Sequence, residues 1–309
     1  MKYWNRIVRR RDLSIATKGL EWLWANREGF RIQESIDDVD MPWNTKPLIE
    51  LMFLMSVLRR NGFDDPSINR LSDYAADVAK DFDWHQMAAY DPSAATALAL
   101  ALKFYQLTGK PLPFEESYFQ YLAEVRFFEG MDRLPYRQMD LAHSLAVVGI
   151  RDYEAYLAAW FANTAFGRGQ HPARYSVGDL YSLTHAVFYL TDVGLQPDAP
   201  CLDLATNLRM RRALIHQAAI VARGDNLDIL GELLLCYLMC DGNLTGREGQ
   251  IFDAALQRLQ AGQCDDGSLP PTRAITEKAK SGKAVFTDLY HTTLVSVLFF
   301  SFLSKAKQS

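Results

Sequence analysis

Apolar residues recur along the chain at i, i+3 and i+4 almost throughout, while the two-residue alternation of strands is scarce, so the pattern predicts an all-helical protein. The predicted helices are of two kinds. Those at 13–27, 67–82, 114–128, 153–166, 202–223 and 247–261 carry one apolar stripe and many charges. Those at 47–58, 93–107, 140–150, 179–190, 227–239 and 288–303 are apolar nearly all round. A helix with one apolar stripe lies on a surface, whereas one that is apolar all round must be covered on every side. Strict alternation of the two kinds therefore predicts two layers of repeated helical hairpins, with inner helices starting every 40–60 residues or so. Turns such as Asn61-Gly62, Thr108-Gly109, Glu129-Gly130 and Asp241-Gly242 punctuate the helix ends. Both terminal hairpins carry full-length apolar helices and neither end has a polar cap, so closure is expected over an open solenoid. The expected fold is an (α/α)6 toroid, formed as a single domain by residues 1–309.

Composition adds bounds. A chain of 309 residues, 49% apolar and 23% charged, can bury a large core. A net charge of −4 supplies no field that would attract nucleic acid, and Arg6, Arg9, Arg10 and Arg11 read as a solvated helix start. The basic start runs into Asp12 rather than an unbroken apolar core, and the most apolar run, 294–303, is shorter than the roughly 20 residues of a spanning helix. A cytoplasmic protein without a membrane span is the expectation. The four cysteines are unevenly spaced, which fits reduced thiols, and Cys236 and Cys240 fall four apart on an apolar helix as core packing.

Candidate chemistry gathers at Asp-Leu helix starts. Asp288-Leu289-Tyr290-His291-Thr292, Asp179-Leu180-Tyr181 with His185 beyond it, and Asp140-Leu141-Ala142-His143 each place an acid at the start of an apolar helix and a histidine further in. Asp288 and His291, like Asp140 and His143, share a helix face, and His185 stands about 9 Å along the axis from Asp179. Each acid also has the simpler role of a cap, and each histidine that of a hydrogen-bonded core residue. If the inner N-termini open on one mouth, His143, His185 and His291 become ligands or acid–base groups there. Asp179 and Asp288 would orient them, and Tyr181 and Tyr290 would donate hydrogen bonds. His85, His171 and His216 fall on outer helices or loops and read as structural. Arg273, Lys278, Lys280 and Lys283 precede Asp288 and could meet an anionic head group.

The stretch Asp288-Leu289-Tyr290-His291-Thr292 resembles the Asp-x-Tyr-His-Thr segment of protein prenyltransferase β subunits, (α/α)6 barrels in which that histidine is a zinc ligand. Gln263-Cys264-Asp265-Asp266-Gly267-Ser268 is similar to their Asp-Gly-Cys segment and to the Gln…Gly-Ser turns of terpenoid cyclases. The resemblance implies Zn2+ held by Asp266 and His291, with Ser268 standing where the family has a thiolate. Residues 175–192 also resemble a signature of an uncharacterised bacterial family associated with specialised metabolism.

Three readings remain open. The leading one is a biosynthetic enzyme that holds a hydrophobic, isoprenoid-like small molecule in the toroid cavity. A non-catalytic helical-repeat module that binds a ligand or a protein partner is the second. The third is a carbohydrate-active enzyme drawing two carboxylates from Asp179, Asp228, Glu232 and Asp288, with Trp43, Trp84, Tyr136 and Tyr181 stacking on sugars. The acidic turn Asp37-Asp38-Val39-Asp40 lacks the spacing of the terpenoid-cyclase acid motifs and reads as a loop.

Overall fold

The computed structural model of the chain describes residues 2–34, 43–90, 92–150 and 154–306. Among these, a two-residue antiparallel ladder of β1 (Gln33–Glu34) and β2 (Trp43–Asn44) is the only sheet; all else regular is helical. The helices are α1 (Lys2–Ala25), α2 (Lys46–Arg60), α3 (Pro66–Ala79), α4 (Trp84–Tyr90), α5 (Ala95–Thr108), α6 (Glu116–Glu124) and α7 (Pro135–Val147), then α8 (Glu154–Ala162), α9 (Val177–Leu190), α10 (Leu204–Val221), α11 (Leu227–Met239), α12 (Gly246–Gln260), α13 (Arg273–Lys280) and α14 (Phe286–Ala306). All twelve periodic segments form helices. The all-α expectation holds, and the acidic turn 37–40 lies outside the described residues.

Two further helices interrupt what reads as loop. The 264–287 connection contains α13, started by the Thr272 hydroxyl accepting from the Ile275 N–H at 3.4 Å, and α4 forms between the third and fourth periodic segments. One helix start moves as well. Pro135, with its φ already suited to a first helical position, opens α7 a turn early. Asp140 therefore stands inside α7 and not at its cap. It is buried there, with the Arg137 guanidinium at 3.5 Å and the Ser144 hydroxyl donating at 3.4 Å.

The chain divides into two compact units, Met1–Ala25 with Ala162–Ser309, and Asn26–Phe161. In the second, the apolar helices α2, α5 and α7 pack in sequence, with α3 laid on α2. In the first, α11 is enclosed by α9, α10, α12 and α14, and α1 packs along α14. Helix α11 is buried at all but one of its positions, which is what a helix apolar all round requires. Helix α14, at 21 residues, is long and apolar enough to cross a membrane, yet 72% of its most apolar window is buried inside the protein. Its apolar surface is used against α1 and α11.

The pairing of α1 with α14 is secured at two neighbouring points. At one, Phe286 stacks on Tyr290 (4.9 Å, 9°) and lies parallel to Trp22 (6.1 Å, 3°). One to two turns away, the 263–269 loop acts as a clasp. Gln263 donates to the Ile15 carbonyl at 3.0 Å and to the Gly267 carbonyl at 3.1 Å, and the Leu269 N–H donates to the Thr293 hydroxyl at 3.0 Å. Gly267 sits at φ +95° against the Lys18 carbonyl, where no side chain fits. Gly267→Ala should therefore combine left-handed strain with a backbone clash and cost about 2–4 kcal/mol, read as a lowered urea midpoint with an unchanged slope.

A buried carboxylate and histidine cluster

Helix α11 reads Leu-Asp-Ile-Leu-Gly-Glu-Leu-Leu, so Asp228 and Glu232 lie four apart on one face of a helix that has no solvent side. Both are buried, at 8% and 3% side-chain exposure. Asn226 caps the helix by accepting from the Ile229 N–H at 3.0 Å, which puts Asp228 in the first turn, where the helix dipole favours negative charge. Glu232 is one turn deeper.

The neighbouring helices present polar faces to these two acids. On α9, Tyr181, Thr184 and His185 share a face by their i, i+3, i+4 spacing. Tyr181 donates to Asp228 Oδ2 at 2.7 Å, and Thr184 donates to Glu232 Oε2 at 2.6 Å. On α14, Thr292 donates to Asp228 Oδ1 at 2.9 Å. His291 beside it sets Nε2 at 3.7 Å from Asp228 Oδ1 and 3.8 Å from Glu232 Oε1. His185 Nδ1 lies 2.9 Å from the Tyr181 carbonyl and 3.9 Å from Glu232 Oε2. A carbonyl only accepts, so Nδ1 carries the proton and Nε2 is the basic nitrogen of His185. The imidazoles are the open side of the cluster, at 35% exposure for His291 and 24% for His185.

The predicted site residues divide accordingly. His185, His291 and Tyr181 come together. Asp179 completes a capping box with Ser176, accepting from its N–H at 2.9 Å and its hydroxyl at 2.7 Å, and these bonds hold its carboxyl below the usual range. Asp288 accepts from the Val285 N–H at 3.2 Å ahead of α14, and Tyr290 is buried in the aromatic stack with Phe286. Asp266 bonds to the N–H (3.0 Å) and hydroxyl (2.7 Å) of Ser268, shaping the clasp. Among the described residues, the three-donor group that could hold a metal is Asp228, Glu232 and His291, and it does not include Asp266. His143 lies on α7, in the other compact unit. Cys236 and Cys240 are buried, and Cys236 donates to the Thr184 carbonyl at 3.4 Å.

Sequence reasoning offers Asp228 and Glu232 only as a sugar-cleaving pair and passes over Thr184 and Thr292. The available signal is that two acids one turn apart in an otherwise apolar helix cannot reach water and must find polar partners. Of the four expected head-group residues, Arg273 and Lys280 line a surface cavity of about 360 Å³ together with Arg258 and Glu277, and Lys278 and Lys283 do not. The cavity reaches Leu227, the residue before Asp228, but no side chain of the cluster lines it.

Burial is the largest influence on Asp228 and raises its carboxyl. The His291 imidazole acts against this, the Glu232 charge reinforces it, and the Tyr181 and Thr292 hydroxyls lower it in part. Burial pushes Glu232 the same way, but the two imidazoles and the Thr184 hydroxyl outweigh it, and its net shift is downward. For Asp228 the sign follows directly. Below the ordinary carboxylate range the folded and unfolded chains both hold the proton; as pH rises the unfolded chain ionises first, and stability falls. In chelating buffer at pH 7, Asp228→Asn should therefore raise the unfolding free energy by about 1 kcal/mol, the gain shrinking as pH falls toward the ordinary carboxylate range. Thr184→Val should do the reverse and cost about 1–3 kcal/mol by stripping Glu232 of its hydroxyl donor. Urea titrations of both variants across pH check the pair of signs, and a destabilised Asp228→Asn would contradict the assignment.

No curated protein and no solved structure matches the chain. One family model does, over residues 16–300, and that span includes α9, α11 and every cluster residue of α14. The chain belongs to that family, described as a domain of unknown function (DUF6895).

Proposed function

We propose that the chain is a biosynthetic enzyme of specialised metabolism acting on a hydrophobic, isoprenoid-like small molecule, with its reacting centre at Asp228, Glu232, His185 and His291. One observation carries this reading. Seven polar groups from three otherwise apolar helices, Tyr181, Thr184, His185, Asp228, Glu232, His291 and Thr292, converge on one spot. Burying two carboxylates costs stability that an apolar pair would not, and such an outlay is characteristic of functional sites. The cavity at Arg258, Arg273 and Lys280 suits an anionic head group. Closure of the six hairpins into an (α/α)6 ring belongs to the same proposal; the alternation of apolar and amphipathic helices supports it.

Glycoside hydrolysis is less well supported. Its two carboxyl groups must flank the scissile bond from opposite sides, at least about 5 Å apart. Here the two acids occupy successive turns of one helix, and one oxygen of each lies within 4.8 Å of the other and of a His291 ring nitrogen. They serve one face of a bound molecule.

The test is to incubate the protein with isoprenoid alcohols, isoprenoid diphosphates and oligosaccharides, following binding by calorimetry and turnover by mass spectrometry. An isoprenoid should bind and be converted. His185→Ala and Glu232→Gln should retain binding while losing turnover by about 100-fold or more. Binding of sugars alone, or full turnover in both variants, would overturn the proposal.

A further inference from the structure

We infer that Asp228, Glu232 and His291 form a binding site for one divalent transition-metal ion. One donor atom from each of the three residues lies within 4.8 Å of the other two, and His291 Nε2 stands 3.7 Å from Asp228 Oδ1 and 3.8 Å from Glu232 Oε1. Both separations exceed the N···O distance of a close hydrogen bond, about 2.7–3.2 Å. They are near the spacing of ligands around an ion with bonds of about 2.0–2.2 Å, whose tetrahedral edges are about 3.4 Å long.

The surroundings point the same way. Asp228 Oδ2 and Glu232 Oε2 are taken by the hydroxyls of Tyr181 and Thr184, and Asp228 Oδ1 accepts from Thr292 at 2.9 Å while standing 3.7 Å from His291 Nε2, so hydroxyls fix the orientation of both carboxylates. Hydroxyl anchors behind the ligands are how carboxylates at metal sites are oriented. Among the described residues, the groups beside these two buried carboxylates that can carry positive charge are the imidazoles of His185 and His291, and a bound cation would answer the same charge while the imidazoles are neutral. His291, at 35% exposure, is the most accessible of the three donors. A mixed set of one imidazole and two carboxylates suits Zn2+ or Mn2+ better than Ca2+ or Mg2+, which favour all-oxygen sites. The ligand pair on α11 differs from the Asp266 and His291 pair implied by the prenyltransferase resemblance.

The inference uses the centre of the proposed reaction but stands without it, since a metal can be bound by a protein that converts no isoprenoid. Full-length protein stripped with chelator should be dialysed against Zn2+ or Mn2+ and the bound metal counted by mass spectrometry. One equivalent per chain is expected, with a raised thermal midpoint. Glu232→Gln, nearly isosteric and checked for native helicity by circular dichroism, should weaken binding by about 100-fold or more, as should His291→Ala. Asp266→Asn, which can keep the Ser268 turn, should bind normally. Absence of saturable binding, unchanged affinity in Glu232→Gln and His291→Ala, or loss confined to Asp266→Asn would each overturn the inference. Isoprenoid turnover without metal binding would leave the proposed function intact and remove the metal. Metal binding without turnover would do the opposite.

Discussion

Two carboxylates on a helix with no solvent face set the terms for the unit around α11. An ionised acid in a low-dielectric interior is tolerated only when its oxygens are hydrogen-bonded and its charge is answered nearby. Asp228 and Glu232 meet that condition through three hydroxyls and two imidazoles, supplied by the helices on either side. This fixes how those helices are rotated. Helix α9 must turn Tyr181, Thr184 and His185 inward, and α14 must turn His291 and Thr292 inward, or the acids are stranded. Close approach is possible because α11 carries Gly231 where it meets α14; an added Cβ there would stand 3.1 Å from Val295.

Helix α14 shows how fold and chemistry are kept apart on one element. Phe286, Tyr290 and Thr293 face the α1 pairing and the clasp, while His291 and Thr292, adjacent in sequence, face α11. A helix turns 100° per residue, so neighbours in the chain serve different interfaces. The two stretches that resemble prenyltransferase segments are split by the same logic. Gln263, Asp266 and Gly267 hold the clasp over α1, and His291 belongs to the cluster with α11. Their similarity to a zinc site therefore does not by itself identify the partners of His291.

The helices were legible in the sequence because helical periodicity is local. The spacing that marks 227–239 as apolar all round is the same property that leads α11 to be covered by α9, α10, α12 and α14. The elements that escaped, α4 and α13, are short and lack an apolar run, and α7 starts early because Pro135 favours a first helical turn without adding to the hydrophobic pattern. The capping role weighed for the helix-start acids was legible too, although at α9 the cap proper is Ser176, three residues before Asp179.

By itself, then, the sequence determined the all-helical class, the two kinds of helix and the histidines worth following, since each rests on residues within a turn or two of one another. Only the tertiary structure decided which acids those histidines meet. Asp179 and Asp288 lie on the same helices as His185 and His291 and turn back to backbone at their own helix starts. Asp228 and Glu232, more than 40 residues from His185 and about 60 from His291, become their neighbours. The reason is physical: a buried carboxylate must be answered across a helix interface, and which residues face each other there depends on how three helices are rotated and packed, a relation that no local spacing encodes.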